Sequence, residues 1–149
     1  MRGIFRIGIV ATGAFVTVAL VAMVSWPTVN QVTTGQTPEY PDVQPQALRY
    51  SPDLVYQRAI ETVRELDNWR LAAHSDEPER TIHAIHSNDL LPWVDEVIIR
   101  VEPLGAGSLV FMSSSSRSGR GDFGQNTRNI ELFQQALVTN LELARQVED

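Results

Sequence analysis

The chain contains neither cysteine nor lysine among its 149 residues. The absence of cysteine excludes disulfides, thiol catalysis, thiolate metal sites and a lipidated N-terminal cysteine. The absence of lysine excludes Schiff-base chemistry and a lysine general base, and all twelve basic residues are arginines. No Gly-x-Ser-x-Gly motif is present, so the sequence also lacks the turn that carries the nucleophile of many serine hydrolases.

Positive charge is scarce after the first few residues. The formal net charge is -6, and Arg2 and Arg6 precede every acidic residue. The remainder therefore holds ten arginines against eighteen acids. Because such a domain repels phosphate backbones, we expect no nucleic-acid partner.

Residues 7–26 form an uncharged apolar run of twenty residues. A helix of this length crosses a hydrocarbon core of about 30 Å, whereas the apolar part of a cleaved signal peptide is usually shorter. Basic residues precede the run and none follows until Arg49, which favours a cytoplasmic N-terminus. We expect residues 1–26 to be a single-pass membrane anchor or uncleaved signal, with a periplasmic or lumenal C-terminal domain. A cleaved signal peptide is the alternative.

Residues 27–49 are rich in proline and threonine and lack apolar periodicity. This composition predicts an extended linker that holds the domain away from the membrane. The folded domain is then expected over residues 50–149.

Hydrophobic spacing predicts a helix, four strands and a second helix in the domain. Ser51 and Pro52 resemble a helix start, and the stripe Val55, Ala59, Val63 and Leu66 follows. The strands are expected over residues 69–74, 81–87, 94–102 and 108–116. The final helix is expected to begin within residues 123–126 and to bury Ile130, Phe133, Leu137, Leu141 and Ala144.

Short connections between consecutive strands favour an antiparallel meander. Both helices need an apolar surface to cover, so the economical arrangement packs them on one face of the sheet. The predicted fold is therefore a two-layer α+β domain, helix–four-stranded antiparallel meander–helix, after an N-terminal transmembrane helix.

Residues 113–129 are the chemically densest stretch, with four consecutive serines, three arginines and three glycines. A helix start attracts anions, and arginine can bind a phosphate, sulfate or carboxylate with two donors. One hypothesis is therefore a pocket for a small anion or an acidic headgroup. The alternative is a structural corner in which Asp122 pairs with Arg117 or Arg128, and Asn126 or Asp122 caps the helix. The candidate ligand-binding residues are Ser114, Ser116, Arg117, Arg120, Asp122, Asn126 and Arg128.

Several segments resemble the bacterial and plastid family called domain of unknown function 1499. They are Tyr50-Ser51-Pro52, Trp69, residues 93–101, and the pattern Ser114-x-Ser116-Arg117-x-Gly119-x-x-Asp122-x-Gly124-x-Asn126-x-x-Asn129-Ile130. The resemblance covers about residues 50–141 and implies that the turn is the family's hallmark, but it implies no activity. This chain departs from the pattern at Ser113, where the family usually has arginine, and at Asn129, where a second basic residue is frequent.

Other polar residues give weaker signals. His83 and His86 are three apart on a predicted strand, which places them on opposite faces and argues against a shared metal ion. We expect these two and His74 to be partly exposed sheet residues, and we predict no metal or cofactor. Asp95 is expected to meet an arginine across the sheet. Leu90-Leu91-Pro92-Trp93 is either core beneath a helix or an exposed patch that touches lipid or a partner.

The sequence favours a non-catalytic binding or interaction module for a small anion, a lipid headgroup or an envelope protein. One alternative is an enzyme of unknown reaction centred on Arg117, Asp122 and Asn126, and another is an accessory subunit of a membrane complex. A binding module should show a single open groove near the turn, with acids whose pKa values are unperturbed. An enzyme should show Asp122 or a histidine buried in a closed pocket with a shifted pKa.

Overall fold

The computed structural model describes residues 29–76, 79–87, 93–117, 119 and 123–148. Within them the chain forms six strands and two helices. In chain order these are β1 (Gln31–Thr33), β2 (Gln46–Leu48), α1 (Pro52–Glu65), β3 (Trp69–Ser75), β4 (Thr81–Ser87), β5 (Val94–Leu104), β6 (Gly107–Ser116) and α2 (Gln125–Glu148).

The strands form one antiparallel sheet in the order β1-β6-β5-β4-β3. Strand β2 also pairs with β6, so β1 and β2 follow one another along the same edge of β6. Strands β3 to β6 form the predicted meander. The α+β class, the antiparallel sheet and the two helices are as the sequence predicted.

The segment that we expected to be a linker is partly folded, so the four-stranded sheet is a six-stranded one. Val32 is fully buried in β1 and Val43 is 6% exposed. Thr34 N donates a backbone hydrogen bond to Met112 O (3.0 Å), which attaches the residue after β1 to β6. Gly35 N donates to Val43 O (2.8 Å), which holds the two ends of the β1–β2 connection together. These strands have three residues each, too few for a period-two pattern to be recognised in the sequence.

A glycine is required where β2 meets β6. A Cβ atom at Gly107 would overlap the carbonyl oxygen of Leu48. The bare backbone of Gly107 therefore permits β2 to pair closely with the first residues of β6.

Both helices bury most of the stripes that their sequences predicted, but Leu66, just after α1, and Ala144 are only partly buried. Ser51 caps α1 by accepting a hydrogen bond from Leu54 N at 3.4 Å, and Val55, Ala59 and Val63 are fully buried. In α2 the buried apolar side chains are Ile130, Phe133, Leu137 and Leu141. They form one core with the inward side chains of the sheet.

The opposite side of the sheet, which we call the open face, stays exposed. Along β5, Val97 and Ile99 are buried beneath the helices, whereas Glu96, Ile98 and Arg100 alternate with them and are exposed. This alternation is expected of an antiparallel sheet that is covered on one side.

The predicted anchor over residues 1–26 lies outside the described residues. In the part of the chain that the structure describes, no helix is both long and apolar enough to cross a membrane.

Replacing Val32 with alanine tests whether β1 belongs to the domain. We expect the free energy of unfolding to fall by about 2 kcal/mol, because buried methyl groups are lost and a cavity remains. Urea titration of the full chain provides the measurement, with the exposed loop change Glu39→Ala as its control. Equal stabilities of the two variants would mean that residues 31–33 behave as a linker.

Candidate functional site

The corner where β6 ends and α2 begins contains a buried polar network. The carboxyl ends of β4 and β6, the start of β5 and the first turn of α2 all meet there, because neighbouring strands are antiparallel. Five members of this network are each less than 10% exposed: His86, Asp95, Ser114, Asn126 and Asn129. We call this set, together with Ser116, the corner network.

Asp95 is the charged centre of the corner network, and only 2% of it is exposed. Its Oδ1 accepts a hydrogen bond from Ser116 Oγ at 2.7 Å. Its Oδ2 accepts one from Asn129 Nδ2 at 3.0 Å and lies 3.3 Å from His86 Nδ1. Burial raises the pKa of Asp95, but the hydrogen bonds from His86, Ser116 and Asn129 outweigh it and leave the pKa below its ordinary value.

Ser114 and Asn126 extend the network to the first described residues of the chain. Ser114 Oγ donates to Asn126 Oδ1 at 2.6 Å and accepts from Asn129 Nδ2 at 3.2 Å. Asn126 Nδ2 donates to the carbonyl oxygen of Asn30 at 3.1 Å and lies 3.3 Å from Ser116 Oγ. The side-chain polar atoms of Ser114, Ser116 and Asn126 thus have partners within the protein, which favours a structural corner for these three residues. Asn126, however, lies within α2 rather than at the expected cap position before it.

The two described arginines of the candidate set lie at the surface. Arg117 Nη2 is 2.7 Å from Glu96 Oε1, and both side chains are about half exposed. Arg128 donates to Phe123 O at 3.0 Å and to Gln125 Oε1 at 3.1 Å. Arg120 and Asp122 lie outside the described residues, and so do the proposed pairings of Asp122. The structure therefore divides the set into buried Ser114 and Asn126, partly buried Ser116, and exposed Arg117 and Arg128.

The sequence-based expectations for Asp95 and His86 were wrong. Asp95 meets a histidine across the sheet rather than an arginine, because His86 and Asp95 are register partners on β4 and β5. His86 is also 9% exposed, not a partly exposed sheet residue, because its face is the one covered by α2. The expected separation of His83 and His86 is confirmed, since His83 lies exposed on the open face.

The alternation of apolar and polar residues along β4 and β5 indicates that His86 and Asp95 both face inward, which our sequence-based prediction did not take into account. Ile82, Ala84 and His86 share one face of β4, and Asp95 shares a face of β5 with the buried Val97. The two inward polar residues become neighbours once the β4–β5 register is known.

A histidine held by a carboxylate through Nδ1 is an arrangement that general bases use. However, Ser116 Oγ donates to Asp95 rather than to His86, so the corner network contains no hydroxyl poised for activation by that histidine. Among the described residues, no group of three or more histidine, cysteine, aspartate or glutamate side chains could hold a metal ion.

Aromatic rings border the corner on two sides. Trp69 lies 5.9 Å from the rings of both His86 and Phe133, between the network and the core. Trp93 and Phe123 stack on one another with centroids 6.0 Å apart and an interplanar angle of 14°. Phe123 is 44% exposed. We call Trp93 and Phe123 the aromatic pair.

The open face carries a separate, shallow groove of about 350 Å³. Ile98 and Phe111 provide its apolar surface, and Arg100 lies over Phe111 with the guanidinium carbon 5.2 Å from the ring centroid. Gln31, Thr33, Gln36, Met112 and Ser113 complete the lining. The groove adjoins the first residue of the dense polar stretch.

Comparison with known proteins identifies a family. The model of the family described as protein of unknown function (DUF1499) matches residues 23–137, so the chain belongs to this family. The match includes β1 and β2, which the resemblance in the sequence did not cover. No curated protein matches the chain, and no solved structure matches it.

Acidification should remove the stabilisation that Asp95 provides. Because its pKa is lower in the folded than in the unfolded chain, the stabilisation is complete above about pH 4 and is lost as the pH falls through the folded-state pKa. Asp95→Asn should lower the unfolding free energy by about 1.5–3 kcal/mol at pH 7, with a smaller difference from wild type below pH 4. Urea titrations across pH measure this, and the neighbouring exposed change Glu96→Gln is the control. A constant difference at all pH values would contradict the role of the charge.

The buried and exposed members of the candidate set should respond differently to alanine. Asn126→Ala removes the acceptor of the buried Ser114 hydroxyl and one of the two donors to the carbonyl oxygen of Asn30, and it should cost about 2–3 kcal/mol of unfolding free energy. Arg117→Ala removes a half-exposed ion pair and should cost less than about 1 kcal/mol. Thermal and urea unfolding compare the two variants. If Arg117→Ala collapsed the fold, Arg117 would itself be a structural residue of the corner.

Proposed function

We propose that this member of the family is a membrane-tethered, exported and non-catalytic module that binds an envelope protein through the open face of its sheet. The observation that carries the proposal is the uncovered apolar centre of that face, which lies on the two longest strands. The tether rests on the sequence, where residues 7–26 are uncharged and follow Arg2 and Arg6.

The open face has the composition of an interaction surface. Ile98 is 41% exposed near its centre, beside the half-buried Phe111 and Ile85. Charged residues surround this centre in two pairs, Arg100 with Glu102 and Arg117 with Glu96. An apolar centre inside a polar rim is typical of protein–protein interfaces.

Charge balance favours a protein over a small anion at this face. The guanidinium of Arg100 is 2.6 Å from Glu102 Oε1, and that of Arg117 is 2.7 Å from Glu96 Oε1. A small anion would have to compete with each glutamate for its arginine. A protein surface with both signs of charge can complement the alternating pattern without breaking either pair.

An enzyme is the second candidate, and the buried His86–Asp95 pair is the specific observation in its favour. Within the corner network, however, the carboxylate of Asp95 already has three hydrogen-bonding partners in His86, Ser116 and Asn129. The fold therefore explains the pair without a substrate, and this reading ranks below the binding module. The accessory-subunit alternative is a special case of protein binding, in which the partner is a membrane complex.

Site-specific photo-crosslinking tests the proposed face. A photoreactive residue at position 98 of the full chain, irradiated in native membranes, should give an adduct of defined mass with one envelope protein. The same residue at position 143, where Leu143 is 54% exposed on α2, should not give that adduct. Reversal of charge by Arg100→Glu should reduce the adduct about tenfold or more, because a complementary charge becomes a like charge.

Arg145→Glu is the matched reversal on the helix layer and should leave the adduct unchanged. Two outcomes would overturn the proposal. One is an identical set of adducts from positions 98 and 143, and the other is the absence of an adduct at position 98 from chains that remain in the membrane.

A further inference from the structure

The chain enters the folded domain at the corner. The carbonyl oxygen of Asn30 accepts hydrogen bonds from Ser116 N at 3.0 Å and from Asn126 Nδ2 at 3.1 Å. Strand β1 begins at the next residue. Asn30 is thereby fixed beside the first turn of α2, at one end of the sheet.

Only a short stretch separates this point from the proposed anchor. The apolar run ends at Trp26, four residues before Asn30. Four residues extend to roughly 14 Å at most, and a headgroup layer is about 5–8 Å thick. In the tethered chain, Asn30 therefore stands no more than about 10 Å above the headgroups, whereas a linker over residues 27–49 would have permitted several tens of ångströms.

The aromatic pair lies at this same end. Phe123 precedes Asn126 by three residues, so their Cα atoms are at most about 11 Å apart. Arg128 donates to the carbonyl oxygen of Phe123, which places a guanidinium next to the ring-bearing residue. Tryptophan and arginine are the residues that favour the boundary between lipid and water, where a ring and a charge can both be accommodated.

We propose that this corner rests on the bilayer that tethers the chain, with the aromatic pair in the headgroup layer and Arg128 at the lipid phosphates. The proposal depends on the proposed tether and adds an orientation and a lipid contact to it. A short tether favours lipid as the occupant, because it keeps the patch beside the bilayer at a high effective concentration.

The contact is local rather than a general attraction to an anionic surface. Beyond residue 26 the chain has ten arginines against eighteen acids, so its overall charge opposes binding to acidic lipids. The aromatic pair and the adjacent Arg128 supply the attraction that the rest of the surface lacks. Strand β5 runs from Val94 at the corner to Leu104, about 33 Å away, so the open face extends away from the lipid contact.

Fluorescence quenching by brominated lipids tests the contact. The full chain is reconstituted into vesicles of phosphatidylcholine and phosphatidylglycerol whose bromines lie near the top of the acyl chains. The change Trp26→Phe removes the fluorophore of the apolar run, and Trp69 is only 8% exposed. The emission of Trp93 is the part of the fluorescence that is lost in the Trp93→Phe variant. This emission should be quenched more strongly in these vesicles than in vesicles brominated at the bilayer centre.

The change Phe123→Asn examines the aromatic pair directly. The backbone of Phe123 has φ of 50°, a conformation that asparagine tolerates better than most residues, so the turn should be preserved. The quenching of Trp93 should be lost, whereas Leu104→Asn, at a residue 50% exposed at the far end of β5, should retain it. For each variant, quenching is the ratio of the Trp93 emission in brominated vesicles to that in unbrominated vesicles of the same composition. A change in the intrinsic emission of Trp93 that Phe123→Asn causes affects both values and cancels in this ratio.

A separate measurement on the tether distinguishes the two proposals. Since the chain has no cysteine, Ala106→Cys provides a single thiol at the exposed β5–β6 hairpin. A maleimide that cannot cross the tethering membrane should label it when the reagent is given access to the exported side alone, and the protein should remain with membranes after an alkaline wash. Failure of this test overturns both proposals. Labelling and retention without quenching of Trp93 overturn the lipid contact alone.

Discussion

The burial of the Asp95 carboxylate is the constraint on which the corner of the domain depends. An ionised side chain that is 2% exposed would be costly without partners, so donors must approach it from several elements. His86 comes from β4, Ser116 from β6 and Asn129 from α2. One charge thereby explains why polar residues occupy inward positions at the ends of three strands, where the alternation would otherwise place apolar ones.

The same network determines where the chain enters the domain. Ser116 bonds to Asp95 and Asn126 bonds to Ser114, and each of the two also donates a hydrogen bond to the carbonyl oxygen of Asn30. Ser114, Ser116, Asn126 and Asn129 therefore position the chain, and their side-chain polar atoms bond to one another and to Asp95. Among the described residues, the open face and the aromatic pair are exposed surfaces that lie next to the network rather than within it.

Elements with their own periodicity could be predicted from the sequence, and those stabilised by neighbours could not. The stripe of Val55, Ala59 and Val63 identified α1, and the alternation around Val97 identified β5. Strand β1 has three residues and is stabilised by β6 and by the burial of Val32, so nothing local marks it as a strand. The His86–Asp95 contact depends on the register between two strands, which neither strand specifies alone. The groove, likewise, requires Ile98 and Phe111 to be brought together across β5 and β6.

Because residues 31–48 are folded, the proposed module can reach only partners that lie close to the membrane. With a linker of more than twenty residues, the domain would have searched a wide volume above the membrane. With residues 27–30 alone between the proposed anchor and the sheet, the reach of the domain would be set mainly by its own dimensions, and β5 extends about 33 Å. The proposed partner on the open face would therefore itself lie close to the membrane. Two tethered surfaces at that distance would meet at high effective concentration, which would favour the proposed contact through Ile98 and Phe111.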